Sequence, residues 1–145
     1  MSVVLRRPEE ADYTAIREML KDAGLPLSDF ISEHIAIVAE EHGKPVGAVG
    51  FERYGSIGLL RSLVVAEDAR FRGLGRSLVS ELEALEQKRG VVEIWLLTTD
   101  ADPYFLSLGY ETRERRQAPP DICRTAEFTE LCPDHAVLMS KTLSD

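Results

Sequence analysis

Residues 69–75 read ARFRGLG, and Arg76 follows at once. Three arginines, Arg70, Arg72 and Arg76, thus stand beside two glycines, Gly73 and Gly75. Guanidinium groups bind oxyanions in a fixed fork geometry. Glycine lets a ligand come close to the backbone because it has no Cβ. A helix opening here adds N–H groups without helical acceptors and the positive end of its dipole. That combination suits a phosphate. The alternative is a plain strand-to-helix turn with solvated arginines. The stretch is not a dinucleotide fingerprint, since SLVSE follows where a third glycine belongs, and it lacks the GK[ST] of a P-loop.

The flanking elements must position this stretch. "SVVLRR" (2–7) reads as a strand, and Pro8 can open a helix in which Ile16, Met19, Leu20 and Ala23 recur at helical spacing. Gly24 and Pro26 end it. "HIAIVAEE" (34–41) and "PVGAVGFERYG" (45–55) read as a hairpin turning at "HGKP", and "IGLLRSLVV" (57–65) as a further strand. After the glycines, Leu74, Leu78, Leu82 and Leu85 form an apolar stripe, with Glu81, Glu83, Glu86 and Lys88 mostly on the other face and Gly90 as the stop. "VVEIWLLT" (91–98) is a nearly continuous apolar strand. A short helix (101–109), an outer strand (110–116), a mixed segment with a helical turn (117–133) and a last strand (135–143) complete the chain. The order predicts one α/β domain over residues 1–145, with helices against a mixed sheet.

The 145 residues carry 17 basic and 25 acidic side chains, a net charge of −8, with 44% hydrophobic and 29% charged residues. That balance is that of a globular chain and argues against nucleic acid and anionic membrane surfaces as partners. No apolar run is long enough to span a bilayer, and "MSVVLRRPEE" lacks a signal-peptide core, so a cytoplasmic location is expected. Cys123 and Cys132 are then expected as reduced thiols, and their spacing suggests no metal site.

"LVVAEDARFRGLG" resembles the signature of the GNAT superfamily of acyl-CoA-dependent N-acetyltransferases: L-x-V, a short loop, then Q/R-x-x-G-x-G/A opening a helix. Here it reads Leu63-x-Val65 and Arg70-x-x-Gly73-x-Gly75. "YFLSLGY" (104–110) is similar to the family's FYxxxGF segment. The resemblance implies a mostly antiparallel central sheet of six to seven strands, splayed in the middle, with helices on both faces. It implies acetyl-CoA as co-substrate, with Leu63, Val64 and Val65 pairing with the pantetheine arm. The pyrophosphate would lie on N–H groups from Phe71 through Arg72, Gly73, Leu74 and Gly75 to Arg76. An amine would attack the thioester directly, with oxyanion stabilisation from backbone N–H near Val65. Many members dimerise through late strands, so a homodimer is a further option.

The sequence also departs from the family. Phe105 stands where members often carry a tyrosine acid, and Tyr104, one position earlier, points about 100° round the helix. Either Tyr104 or water substitutes, or no acid is needed; packing is the alternative role for Tyr104. Leu59 occupies the position of the glutamate base of histone-directed members. Glu52 is then the nearest candidate base or water relay, or else a solvated or salt-bridged strand residue. Strand alternation puts residues 59, 61, 63 and 65 on one face. Arg61 there either reads a substrate carboxylate or joins an internal salt bridge.

"APPDICRTAEFTELCPDHAVLMSK", with "LLRSLVV", resembles a narrower branch labelled arsenic-resistance N-acetyltransferases. In the family fold this segment crosses near the acceptor pocket, which makes Thr125, Glu127 and Cys132 candidate substrate residues, with capping or packing as the alternative. His34 and His135 read as strand-end residues. The expected activity is acetyl transfer to a small-molecule, amino-acid-like amine, arsenic-containing or not. A protein lysine or N-terminal acetyltransferase and a non-catalytic acyl-CoA sensor are the alternatives.

Overall fold

Eleven regular elements are formed in a computed structural model that describes residues 3–25, 32–125, 128 and 136–143. They are β1 (Val3–Arg6), α1 (Tyr13–Asp22), β2 (Ile35–Glu41), β3 (Lys44–Tyr54), β4 (Ile57–Val65), α2 (Leu74–Lys88), β5 (Glu93–Thr98), α3 (Asp102–Ser107), β6 (Glu111–Arg113), α4 (Pro120–Cys123) and β7 (Val137–Thr142). The strands form one seven-stranded sheet in the order β1-β2-β3-β4-β5-β7-β6. It is mixed, as expected: β4 and β5 are parallel, while β1–β2, β2–β3, β5–β7 and β6–β7 are antiparallel. The chain divides into two compact units, residues 1–51 with 61–86, and residues 52–60 with 87–145.

In the first unit, α1 begins later than Pro8 suggests. The Asp12 carboxylate accepts the Glu9 N–H at 2.6 Å, which holds residues 10–12 in a 3-10 turn before Tyr13. Ile16 and Leu20, four residues apart, lie on the buried face with Ile35, Val38, Ala48 and Val64. Gly24, at φ 74°, closes the helix. β2 and β3 join through His42 and Gly43, both at positive φ, with Glu41 opposite Lys44. Two positive-φ central residues are the signature of the tight hairpin turn whose twist matches the strands. In α2 the buried residues are Leu74, Leu78, Val79, Leu82 and Glu86. Glu86 was expected on the outer face. Seven positions after Val79 it returns to the same side of the helix, and its carboxylate is carried inward.

In the second unit, Leu59, Trp95, Leu97, Ile122, Ala136 and Leu138 make one apolar cluster, with Tyr54, Ile57, Ala118 and Phe128 packed against it. β5 pairs with β7 over six residues, Glu93–Thr98 against Thr142–Val137, and with β4 over Ile57–Leu59. Truncating a core leucine here would cost about 2–5 kcal/mol. The outer strand β6 is only Glu111–Arg113, shorter than the expected 110–116. Glu114 and Gln117 cap each other, Gln117 Oε1 accepting the Glu114 N–H at 2.8 Å, and this turns the chain out of the sheet.

Candidate functional site

The loop between β4 and α2 carries the residues singled out first. Its start is tied down: Ala66 N–H donates to the Val46 carbonyl at 2.8 Å. Residues 67–69 make a 3-10 turn, with Ala69 fully buried. The chain then takes a left-handed step at Phe71 (φ 67°) and another at Gly73 (φ 77°). A Cβ at Gly73 would meet nothing within 4 Å, so glycine is needed there for its dihedral and not for space. Phe71 adopts the same conformation with a fully exposed ring. The first helical bond of α2 runs from Ser77 N–H to the Gly73 carbonyl at 3.1 Å. The N–H groups of Leu74, Gly75 and Arg76 therefore have no acceptor within the helix, and the positive end of its dipole lies there. The glycine-bearing turn thus lies between strand and helix, where the sequence places it.

The three arginines divide. Arg76 is exposed on the first turn of α2. Arg70 is exposed and its Nε donates to the Val65 carbonyl at 3.1 Å. Arg72 is held differently: its Nη1 and Nη2 donate to Glu41 Oε2 and Oε1 at 2.8 and 3.0 Å, and its Nε to the Ala69 carbonyl at 3.4 Å. The bond to Arg72 holds the Glu41 carboxyl below the usual carboxylate range and raises the guanidinium in turn. Nothing local in the sequence signals this pair, because its members are 31 residues apart.

On β4, Val64 points into the core of the first unit, while Leu63 and Val65 are half-buried. Ser62 stands at φ 56° inside the strand. A left-handed residue breaks strand alternation, so parity no longer places 59, 61, 63 and 65 on one face across it. Arg61, just before the break, is 5% exposed. It lies against Gly50, where a Cβ would approach the His34 and Arg61 carbonyl oxygens to 3.0 and 3.1 Å and Arg61 Cγ to 3.4 Å. Gly50 thus makes room for the arginine and its strand.

The remaining candidates lie in the second unit. Glu52 is buried, and its Oε1 accepts the Tyr54 hydroxyl at 2.5 Å. Phe105 is buried edge-on against Tyr110, whereas Tyr104 is 38% exposed. Leu59 is fully buried in the apolar cluster. Thr125 is buried, donates through Oγ1 to the Ile122 carbonyl at 2.8 Å and accepts the Phe128 N–H at 3.2 Å, which caps α4. Glu127 and Cys132 lie outside the described residues. Among the described residues no three His, Cys, Asp or Glu side chains group as metal ligands, and no helix is long and apolar enough to cross a membrane.

A parallel β4–β5 pair inside a mostly antiparallel sheet, with a glycine turn opening the helix after β4, defines an acetyltransferase-type α/β protein. The chain belongs to the GNAT acetyltransferase family: the model of the GNAT acetyltransferase domain matches residues 32–112. An uncharacterised N-acetyltransferase of Chlorobaculum tepidum is 35% identical over 97 residues, which are 65% of this chain and 62% of that protein. Among solved structures, N-acetylglutamate synthase of Neisseria gonorrhoeae, complexed with coenzyme A and N-acetyl-glutamate, superposes with a TM-score of 0.85 at 17% identity, over 100% of this chain and 36% of that one. A Mycobacterium tuberculosis protein in complex with CoA superposes with a TM-score of 0.82 at 20% identity, over 97% and 99% of the two chains. The chain therefore spans 62% of its curated relative and about a third of the synthase.

Proposed function

We propose that the chain is a single acetyltransferase domain that moves the acetyl group of acetyl-CoA to the amine of a small, amino-acid-like molecule in the cytoplasm. One observation carries the reading: the left-handed turn at Phe71 and Gly73 ends on helix N–H groups without helical acceptors, directly after β4. The pyrophosphate rests on the N–H groups of residues 71–76, with Arg70 and Arg76 beside it, and the pantetheine arm runs along Leu63–Val65. The acceptor nitrogen attacks the thioester carbon, the tetrahedral oxyanion is met by N–H near Val65, and the thiolate leaves. Glu52, directly or through a water, takes the proton from the amine, and Tyr104 or water returns one to the thiolate.

Arg61, buried with its Nε donating to Ser62 Oγ at 3.5 Å, favours a substrate with a carboxylate or similar oxyanion, which a guanidinium binds through paired N–H groups. The structural neighbour holding N-acetyl-glutamate, an acetylated amino acid, supports that class. The C-terminal motif around Thr125 and Phe128 supports the narrower, arsenic-linked reading, in which acetylation removes the amine's positive charge and neutralises a toxic compound. A homodimer through late strands belongs to the same proposal. One observation favours a second reading, a non-catalytic acyl-CoA sensor: the ring at the family's acid position, Phe105, is buried and has no proton to give.

Calorimetric titration with acetyl-CoA, using ATP and NAD as controls, tests the proposal. Selective binding that weakens in Gly75→Glu is the expected result. No binding by a folded protein overturns it. Binding without turnover on any amine supports the sensor.

A further inference from the structure

We propose that Glu41 and Arg72 are positioning residues that brace the anion loop from the β2–β3 hairpin, and that Arg72 is not itself a phosphate ligand. The inference rests on the acetyl-CoA reading and assigns a role within that site.

The loop needs a brace. Residues 70–73 contain two left-handed steps, and past the 3-10 turn the backbone regains a regular bond only at the Gly73 carbonyl. Such a segment opens easily unless side chains hold it. An N–H cradle binds well only when its donors are already fixed, because ordering them on binding lowers affinity. Two contacts from the same hairpin fix it, and a close strand approach backs them. Ala66 N–H is anchored on Val46 at the loop's start. Gly47 allows close approach to β4, a Cβ there reaching the Val64 carbonyl oxygen at 3.1 Å. The Arg72–Glu41 fork, at 2.8 and 3.0 Å, clamps the loop's far end next to Gly73.

Glu41 is itself fixed. It closes β2 opposite Lys44, where the tight turn at His42 and Gly43 leaves little freedom. The side chains of Arg72 and Glu41 are only 26% and 14% exposed, and two parallel bonds specify orientation as one would not. Arg72 Nε, directed at the Ala69 carbonyl, adds a third tie within the loop. A guanidinium so held spans loop and strand. The phosphate charge is then met by the helix N–H groups, Arg70 and Arg76.

The two roles for Arg72 predict opposite signs for one substitution. Glu41→Gln removes a negative charge near the anion, and if Arg72 were a phosphate ligand restrained by Glu41, CoA would bind more tightly. A brace predicts weaker binding. Calorimetry with CoA on wild type, Glu41→Gln, Arg72→Gln and the charge-swapped double variant Glu41→Arg/Arg72→Glu decides it. The expected result is about 5- to 10-fold weaker binding in each single variant, with most of it recovered in the swap. Tighter binding in Glu41→Gln, unchanged binding in both singles, or a swap weaker than either single overturns the brace. Glu41→Asp, which keeps the charge and shortens the reach, replaces Glu41→Gln should that variant fold poorly, and it too must weaken binding. Amide hydrogen exchange across residues 70–74 reads the brace without ligand. Faster exchange in Glu41→Gln is expected, and unchanged exchange overturns it. Wild type that is folded but binds no CoA overturns the acetyl-CoA reading instead, and with it the binding role of the brace.

Discussion

Replacing Arg61 by methionine separates recognition of a substrate carboxylate from packing of the strand. Methionine keeps an unbranched stem against Gly50, where Arg61 Cγ lies 3.4 Å from the position of a glycine Cβ, and removes only the charged head. Arg61 is 5% exposed, so a carboxylate it held would be largely screened from water. A hydrogen bond to a charged group contributes about 1.5–3 kcal/mol net. At about 1.4 kcal/mol per decade, that is roughly 10- to 150-fold in kcat/KM. The assay compares CoA release with an amino acid and with the amine left when its α-carboxylate is removed. Wild type should prefer the amino acid by that factor. In Arg61→Met the preference should vanish, with kcat/KM for the decarboxylated amine and KM for acetyl-CoA unchanged. A preference retained in the variant refutes the reasoning. If both acceptors, acetyl-CoA KM and melting temperature deteriorate together, Arg61 is a structural arginine.

Glu52→Gln should lower kcat about 100-fold or more at neutral pH, the size expected of a lost general base, and wild-type turnover in a stopped assay excludes that role. Phe71→Gly should raise the melting temperature by about 2 °C, because a left-handed non-glycine residue costs roughly 1–2 kcal/mol, the added chain entropy of glycine takes back about 0.5–1 kcal/mol, and the exposed ring gives up no packing. A lower melting temperature would show that the ring packs. Asp12→Asn breaks the fork with Arg6, whose Nη1 and Nη2 reach Asp12 at 2.8 and 2.9 Å, and should cost about 2–3 kcal/mol at neutral pH, near the lower end for a buried pair because Arg6 keeps Glu40 at 2.6 Å. The bond from Arg6 holds the Asp12 carboxyl below the usual range, so its stabilisation is complete above the ordinary aspartate pKa and is lost as pH falls through the depressed value. Urea melts from pH 7 to 3 should show wild type converging on the variant, and a constant gap would refute the linkage.

Much of the fold was legible because it is written locally. The tight turn at His42 and Gly43, both bounds of β4, the opening of α2 at Gly73 and its stop before Gly90 follow from turn chemistry and apolar period, which act over a few residues. The glycine turn was legible for the same reason, since two glycines and a helix start lie within one stretch of chain. Phe105 and Tyr104, about 100° apart on a short helix, could both pack by sequence, and the structure buries the first and exposes the second.

Other features exist only once distant segments meet. Arg72 reads in sequence like Arg70 and Arg76, three cations beside two glycines. Folding gives one of them to Glu41, and which one depends on where the end of a hairpin 31 residues away comes to lie. Ser62 carries no local mark of a left-handed residue, so the loss of strand parity beside Arg61 is invisible to a period-two count. Arg6 carries no local mark of bridging Asp12 and Glu40, and the pairing of β1 with β2 brings Glu40 to it. By itself the sequence determined the elements, the family and the turn that opens α2, because propensity and periodicity are short-range. Tertiary structure decided which charges are free to meet a ligand and which are held by one another, because an ion pair is set by distance in space and not along the chain.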